Sequence, residues 1–347
     1  MKRFILLLSL FFVLFSCKNE YQPRKRIKVS TDQRVVENSS IRAIQIVDAF
    51  TAFYAGSNGK FGYQSTEGVG VNTTIKHNDS ITPYFRSIAY NGESLFALSI
   101  ADPALLYKIN RKTFDYELVY SESHEKVFYD SMKFFDAQNG IAMGDPTEDC
   151  LSIILTKDGG NTWNKIPCEK LPKVFEGEAA FAASNTNIKV LGTTAWIVTG
   201  GTKARVFKTT DLGETWEVFD TPIIQGEGPQ GIYSVDFANE NNGIIIGGDY
   251  SKPEQNIANK AITKDGGKTW QLVADGQNPN YKSCVQYIPD TNGQEVLAVG
   301  KTGMSYSSDG GLTWTEVSTE GYYVLQFQDR YNGWLAGNEK IARLTIE

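Results

Sequence analysis

Apolar and polar residues alternate along most of this chain in short runs, as in "IYSVDF" (232–237) and "YVLQFQ" (323–328). A period of two puts successive side chains on opposite faces of a sheet, so these runs predict half-buried strands. No stretch sustains a period of 3.6 residues, and helix content is expected to be low. The runs are also ordered among themselves. In residues 231–273, "IYSVDF" reads as a strand, "ENNG" as a turn, "GIIIGGD" as a short apolar strand, and "KAITKDGGKTWQLV" as a hairpin around an Asp-Gly turn.

That unit recurs. "TKDGGNTW" (156–163) returns as "TTDLGETW" (209–216), "TKDGGKTW" (263–270) and "SSDGGLTW" (307–314), so the tryptophans Trp163, Trp216, Trp270 and Trp314 are 53, 54 and 44 residues apart. Phe114 stands where a further copy would place its Trp, 49 residues before Trp163. A repeat of about 40–55 residues built from short strands predicts propeller blades. The first strands of the copies align at 42–47, 86–90, 130–135, 178–183, 233–237, 283–288 and 323–328. They predict an all-β, seven-bladed β-propeller. The last copy ends after its third strand, and "QRVVEN" (33–38) is the expected donor of the missing one, closing the ring and covering an edge.

The repeated turn, Ser/Thr-x-Asp-x-Gly-x-Thr-Trp, matches the Asp box of BNR-type propellers. Its carboxylates Asp158, Asp211, Asp265 and Asp309 are placed to satisfy turn backbone. The glycine permits positive φ, and the Trp packs beneath the turn. These are structural roles. The wider pattern "GIAMGD…IILTKDGGNTW", with "AVGKTG…SDGGLTW" and "GWLAGNEKIARL", resembles the photosystem II assembly/stability factor-like (YCF48-related) propeller family over roughly residues 40–345. Similarity to sialidase-type propellers is more distant. The resemblance implies a seven-bladed binding propeller and no photosynthetic role.

The N-terminus departs from the alternating pattern. Met1-Lys2-Arg3 precedes an apolar run from Phe4 to Phe15 that is too short for an ordinary span and fits a signal-peptide core. Leu14-Phe15-Ser16-Cys17 resembles a bacterial lipobox, so residues 1–16 are expected to be removed and Cys17 lipidated. Residues 17–32 read as a flexible tether and 33–347 as one propeller domain. The expected location is the cell envelope, at the outer membrane. The net charge of -6 becomes -8 once Lys2 and Arg3 leave. An acidic body argues against nucleic acid, and "RKRIK" (24–28) reads as a solvated membrane-proximal segment. A hydrophobic fraction of 41% excludes global disorder. The body is expected to be monomeric.

Two histidines, His77 and His124, and no CxxC leave no zinc pattern or Ser-His-Asp triad, and no metal or cofactor is expected. Cys150 and Cys168 lie symmetrically about the turn at Gly159, which would let them face each other within disulfide reach; a one-residue slip would point them apart. Cys284 occupies a small-residue slot of its first strand and is expected to be a free, buried thiol.

Strand polarity separates two faces. The repeated turns fall on the back face. First-strand starts and second-to-third loops share the front face with the central mouth. That reading collects Arg86, Asp130, Glu176, Glu178, Tyr233, Tyr281, Lys282 and Tyr323, together with Asp145, Lys203, Arg205, Asp249 and Tyr250. Carboxylates, cations and tyrosines at one mouth suit a protein or glycan ligand. Two enzyme classes remain as alternatives. A sialidase-like hydrolase would draw on "YFRSIA" (84–89) and a cluster of Arg205 with Arg330 or Arg343. A propeller oxidoreductase lacks any phosphate loop or haem motif.

Overall fold

The computed structural model describes residues 21–78 and 80–347. The expected signal peptide, Cys17 and the first residues of the tether lie outside the described residues. Among the described residues the chain is strand and loop, apart from a single short 3-10 turn at Cys168–Lys170.

The strands pair antiparallel into six sheets, where seven separate ones were expected. The difference arises at the chain ends. Val29–Ile46 is one continuous strand. Its first half pairs with the end of Asn332–Ile346, from Val29↔Ile346 to Val35↔Lys340, and its second half pairs with Thr51–Gly56. One strand therefore carries the last repeat's pairing into the first, and both merge into a six-stranded sheet. The donated strand expected at 33–38 begins earlier, at Val29, and loses register between Val35 and Ser40.

The innermost strands stand side by side around an axis. Val29–Ile46 packs on Phe85–Tyr90, followed by Tyr129–Phe134, Ile188–Leu191, Gln230–Phe237, Cys284–Tyr287 and Val324–Phe327, which returns to the first. This closed ring of radial sheets is a β-propeller. Polar side chains tie neighbouring inner strands at its back end. Asp236 accepts from Tyr287 N at 2.7 Å, Gln286 from Phe327 N at 3.2 Å, and Gln326 from Ile46 N at 2.7 Å. The core lies between sheets, as where Ile141 and Ile153 pack with Ile188, Ile197 and Phe207 of the next sheet.

The four repeated turns share one hydrogen-bond pattern. In the first, Thr156 Oγ1 accepts from Gly160 N at 2.9 Å, and Asp158 accepts from Thr162 N at 2.9 Å and Thr162 Oγ1 at 2.7 Å. The turns at Asp211, Asp265 and Asp309 repeat these bonds. Gly160, at φ +86°, approaches the preceding sheet so closely that an added Cβ would lie 2.3 Å from Phe96. Trp216, Trp270 and Trp314 each donate to the carbonyl of their turn's second glycine position. Trp163 instead packs edge-on against Phe96 and Phe134.

The fourth expected first strand is displaced. Of "EAAFAA" (178–183), only Glu178–Ala179 is extended, paired with Gly200–Gly201; the inner strand of that repeat is Ile188–Leu191. The alternating alanines mimic a strand, but the segment after them runs into the central channel.

Cys150 and Cys168 are joined, with Cα atoms 5.6 Å apart. They are not the cross-strand pair the hairpin symmetry suggested. Cys150 lies outside the strand Ser152–Thr156, bridging to Lys173, and Cys168 opens the 3-10 turn. Cys284 is free and buried.

Residues 21–32, expected as part of a flexible tether, are docked. Val29–Asp32 belong to the sheet, and Lys28 exchanges backbone bonds with Glu347. Arg24 binds the fully buried Glu295 carboxylate through Nε at 2.8 Å and through its own N–H at 2.8 Å, and Tyr21 donates to the same carboxylate. Tyr306 donates to Arg24 O at 2.6 Å. Glu295 follows the turn out of an inner strand, so this N-terminal strap crosses the back face.

Candidate binding site at the central mouth

The front end of the channel is closed by the displaced segment. Residues 180–186 form a plug held from several sides. Asn185 Nδ2 donates to Ile88 O at 2.8 Å, while its Oδ1 accepts from Ser131 Oγ and Met132 N. Ser184 donates to Ser283 O at 2.6 Å, and Thr186 bonds Ser234 at 2.7 Å. The plug has few backbone partners of its own, and these side chains replace a strand ladder.

Above the plug is a cavity of about 510 Å³. Two arginines from equivalent first-strand positions converge on its floor. Arg42 Nη1 donates to Ala183 O at 3.2 Å, and Arg86 Nη1 to Ala182 O at 2.6 Å. Arg42 lies 4.0 Å from the Tyr323 ring centre and Arg86 4.8 Å from that of Tyr84. The Nε of each guanidinium is buried with no protein partner. Burial, and then the charge of Arg42, lower the Arg86 pKa. The opposite wall is aromatic. Phe181 stacks on Tyr233 at 4.0 Å, and Tyr281 and Tyr250 meet Tyr233 edge-on at 4.9 and 6.4 Å. Lys301 completes the rim.

Two carboxylates stand beside the arginines. Asp145 accepts from Ala180 N at 2.8 Å, and burial, opposed by that bond, lifts its pKa to about 6. Asp130 is fully buried behind the cavity, with neither oxygen hydrogen-bonded. Burial and then Asp145 hold its carboxyl well above the usual range, against the pull of Arg86.

Of the residues predicted from sequence, the cavity brings together Arg86, Asp145, Tyr233, Tyr250, Tyr281 and Tyr323. The others go elsewhere. Glu178 is a buried partner of Arg205 at 2.6 Å and also accepts from Thr199. Lys282 is buried against Asn280 and Thr302. Asp249 caps its own loop through Ser251, near Lys252. Glu176 is exposed outside the cavity, and Lys203 faces Asp220 at 4.0 Å. The arginines considered for a hydrolase do not meet: Arg205 pairs with Glu178, while Arg330 bonds Tyr21 and Arg343 bonds Asn332. The sequence reading missed Arg42, Phe128, Phe181 and Lys301. Arg42 opens "RAIQIV" in the register of Arg86, so the same rule applied to the first repeat finds it. Phe181 was hidden by the strand-like alanines around it.

The arrangement is a polar-floored, aromatic-walled pocket at the mouth of a β-propeller, the class the fold defines. No protein-family profile matches the chain, and no curated protein matches it by sequence. Solved structures do share its fold. YCF48 bound to D1 peptide superposes with a TM-score of 0.66 at 13% identity, covering 94% of this chain and 99% of that one. The RRP9 WD40 repeats give 0.64 at 11% identity, over 92% and 100%. YCF48 from Cyanidioschyzon merolae gives 0.58 at 14% identity, over 90% and 98%. At these identities the likeness establishes the propeller fold.

Proposed function

We propose that the protein is an exported, lipid-anchored binding propeller whose front mouth seats an acidic group of an extended partner segment on Arg42 and Arg86. The observation that carries this reading is the arginine pair itself. Each guanidinium is fixed by one bond to the plug through Nη1, and its Nη2 donates to no acceptor among the described residues, so a carboxylate ligand at the mouth finds charged donors already in place. The tyrosines offer rigid faces to the ligand's neighbouring groups. A structural neighbour, YCF48, was solved with a D1 peptide, which supports a peptide as the ligand class. An acidic glycan carries the same carboxylate. The repeated Asp-box turns, on the opposite face, hold the scaffold. Anchoring rests on the apolar run and the Cys17 lipobox.

The test is binding of acidic peptides and acidic oligosaccharides by titration calorimetry. Arg42→Ala and Arg86→Ala should each weaken the favoured ligand by about 10-fold or more, about 1.4 kcal/mol, in protein that a thermal melt shows to be still folded. Equal affinity in both variants overturns the mouth reading. Mass analysis of the membrane-extracted N-terminus tests the anchor separately: an unmodified Cys17 overturns it.

A further inference from the structure

Beyond the plug, the back end of the channel holds a second cavity, of about 270 Å³. Its wall carries Lys133, Gln286, Gln326, Lys189 and Asp236, each from a different inner strand. The two glutamines have a forced orientation. Gln326 accepts from Ile46 N and Gln286 from Phe327 N. A backbone N–H is satisfied only by the amide oxygen, so each side chain must leave its NH2 group, two donors, off the inter-strand bond. Neither NH2 group has a protein acceptor among the described residues. The charges are also unequal. Lys189 pairs with Asp236 at 2.5 Å, and Asp236 also accepts from Tyr287 N. Lys133 has no acidic partner among the described residues, so the cavity keeps one surplus positive charge. Donors without acceptors around an unpaired ammonium describe a site for a small anion, too confined for a folded or extended chain.

We propose that this back cavity binds a small oxyanion, a free phosphate or the carboxylate of a small acid, held by Lys133 and the amide N–H groups of Gln286 and Gln326. The plug separates it from the mouth, so the site is independent of the peptide reading. Protonation adds a signature. Burial, then the nearby Lys189, lower the Lys133 pKa to about 8, against the opposing influence of Cys284 and Asp236. The groups facing Lys133 are Lys189, Asp236, Tyr90 and the Cys284 thiol, which burial keeps neutral with a pKa of about 11. A bound anion favours the ammonium, so binding near pH 8 should take up protons.

The experiment titrates the folded chain with inorganic phosphate and, separately, with acetate, by calorimetry in two buffers of different ionisation enthalpy at pH 8. Binding of either anion at one site with proton uptake supports the proposal, and which one binds identifies the source. Absence of binding by both at millimolar concentration overturns it. Lys133→Met should weaken binding by about 10-fold or more, while Lys133→Arg keeps it. Should Lys133→Met fail to fold, Gln286→Glu keeps the acceptor for Phe327 N and replaces the donors with a negative charge, so it should abolish binding. Unaltered affinity in either variant refutes the assignment, as does a loss matched by Arg42→Ala at the mouth.

Discussion

At the scale of single residues, the turn aspartates act as anchors whose charge is used locally. Asp265 is the strongest case. Burial disfavours its ionised form, but bonds from Thr269, Thr263 and Lys268 outweigh that and hold its pKa at about 2. A depressed carboxylate pKa stabilises the fold above its unfolded value, about 3.9, and that contribution is lost as pH falls through the folded value. Asp265→Ala should therefore cost about 1–2 kcal/mol at neutral pH, and its melting temperature should converge with that of the unaltered protein as pH drops from about 4 to about 2. Asp145 titrates in the other direction. With a pKa raised to about 6, it repels an acidic ligand from Arg86 above that pH and stops doing so below it. Affinity for an acidic peptide should rise as pH falls from 7 to 5, and Asp145→Asn should flatten that profile. Glu178, expected at the rim, belongs to a buried ion pair. Glu178→Gln should destabilise by about 3–5 kcal/mol through the uncompensated Arg205 and leave mouth affinity unchanged in the fraction that remains folded.

At the scale of elements, the plug decides what kind of propeller this is. Its side chains meet inner strands on several sides, so Asn185→Ala orphans buried groups of Ile88 and Met132 together. A loss of about 1–3 kcal/mol is expected, with weakened peptide binding, because Ala182 and Ala183 carry the acceptors that position both arginines. Thermal melts and titrations on one sample check both. The plug also marks the limit of sequence reading. Strands with an outer hairpin were legible, because the alternation, the Asp-Gly turn and the terminal Trp all agree. "EAAFAA" satisfies the same alternation while lying off the sheet, since what fixes it is long-range bonding by Ser184 and Asn185, for which local pattern has no signal. The mouth was legible in part for the same reason. Tyr233 lies in an inner strand and Tyr323 directly precedes one, whereas Glu178 and Lys282 satisfy the positional rule yet are buried against partners of their own.

At the scale of the whole molecule, ring closure rests on the strand shared by the two chain ends. Removing residues 21–35 strips Asn332–Ile346 of its outer neighbour and Glu295 of Arg24. At about 1 kcal/mol for each backbone bond, the loss is several kcal/mol, comparable with the whole stability of an ordinary domain. Denaturant titration should show a truncated chain that no longer unfolds cooperatively.

The docked strap has a further consequence for the proposed anchor. Tyr21 is fixed to the back face, and the proposed lipid at Cys17 is four residues before it. Four residues span at most about 14 Å at about 3.5 Å each, so a lipid on Cys17 would hold the bilayer close behind the repeated turns and turn the mouth outward to the aqueous phase. Partners would then be captured from solution or from a facing surface, never from the protein's own leaflet. Fluorophores on Leu312→Cys, in a back-face turn, and Ile257→Cys, in a front-face loop, separate the orientations in lipidated protein. A bilayer-embedded quencher should dim the first and spare the second; equal dimming would overturn this orientation.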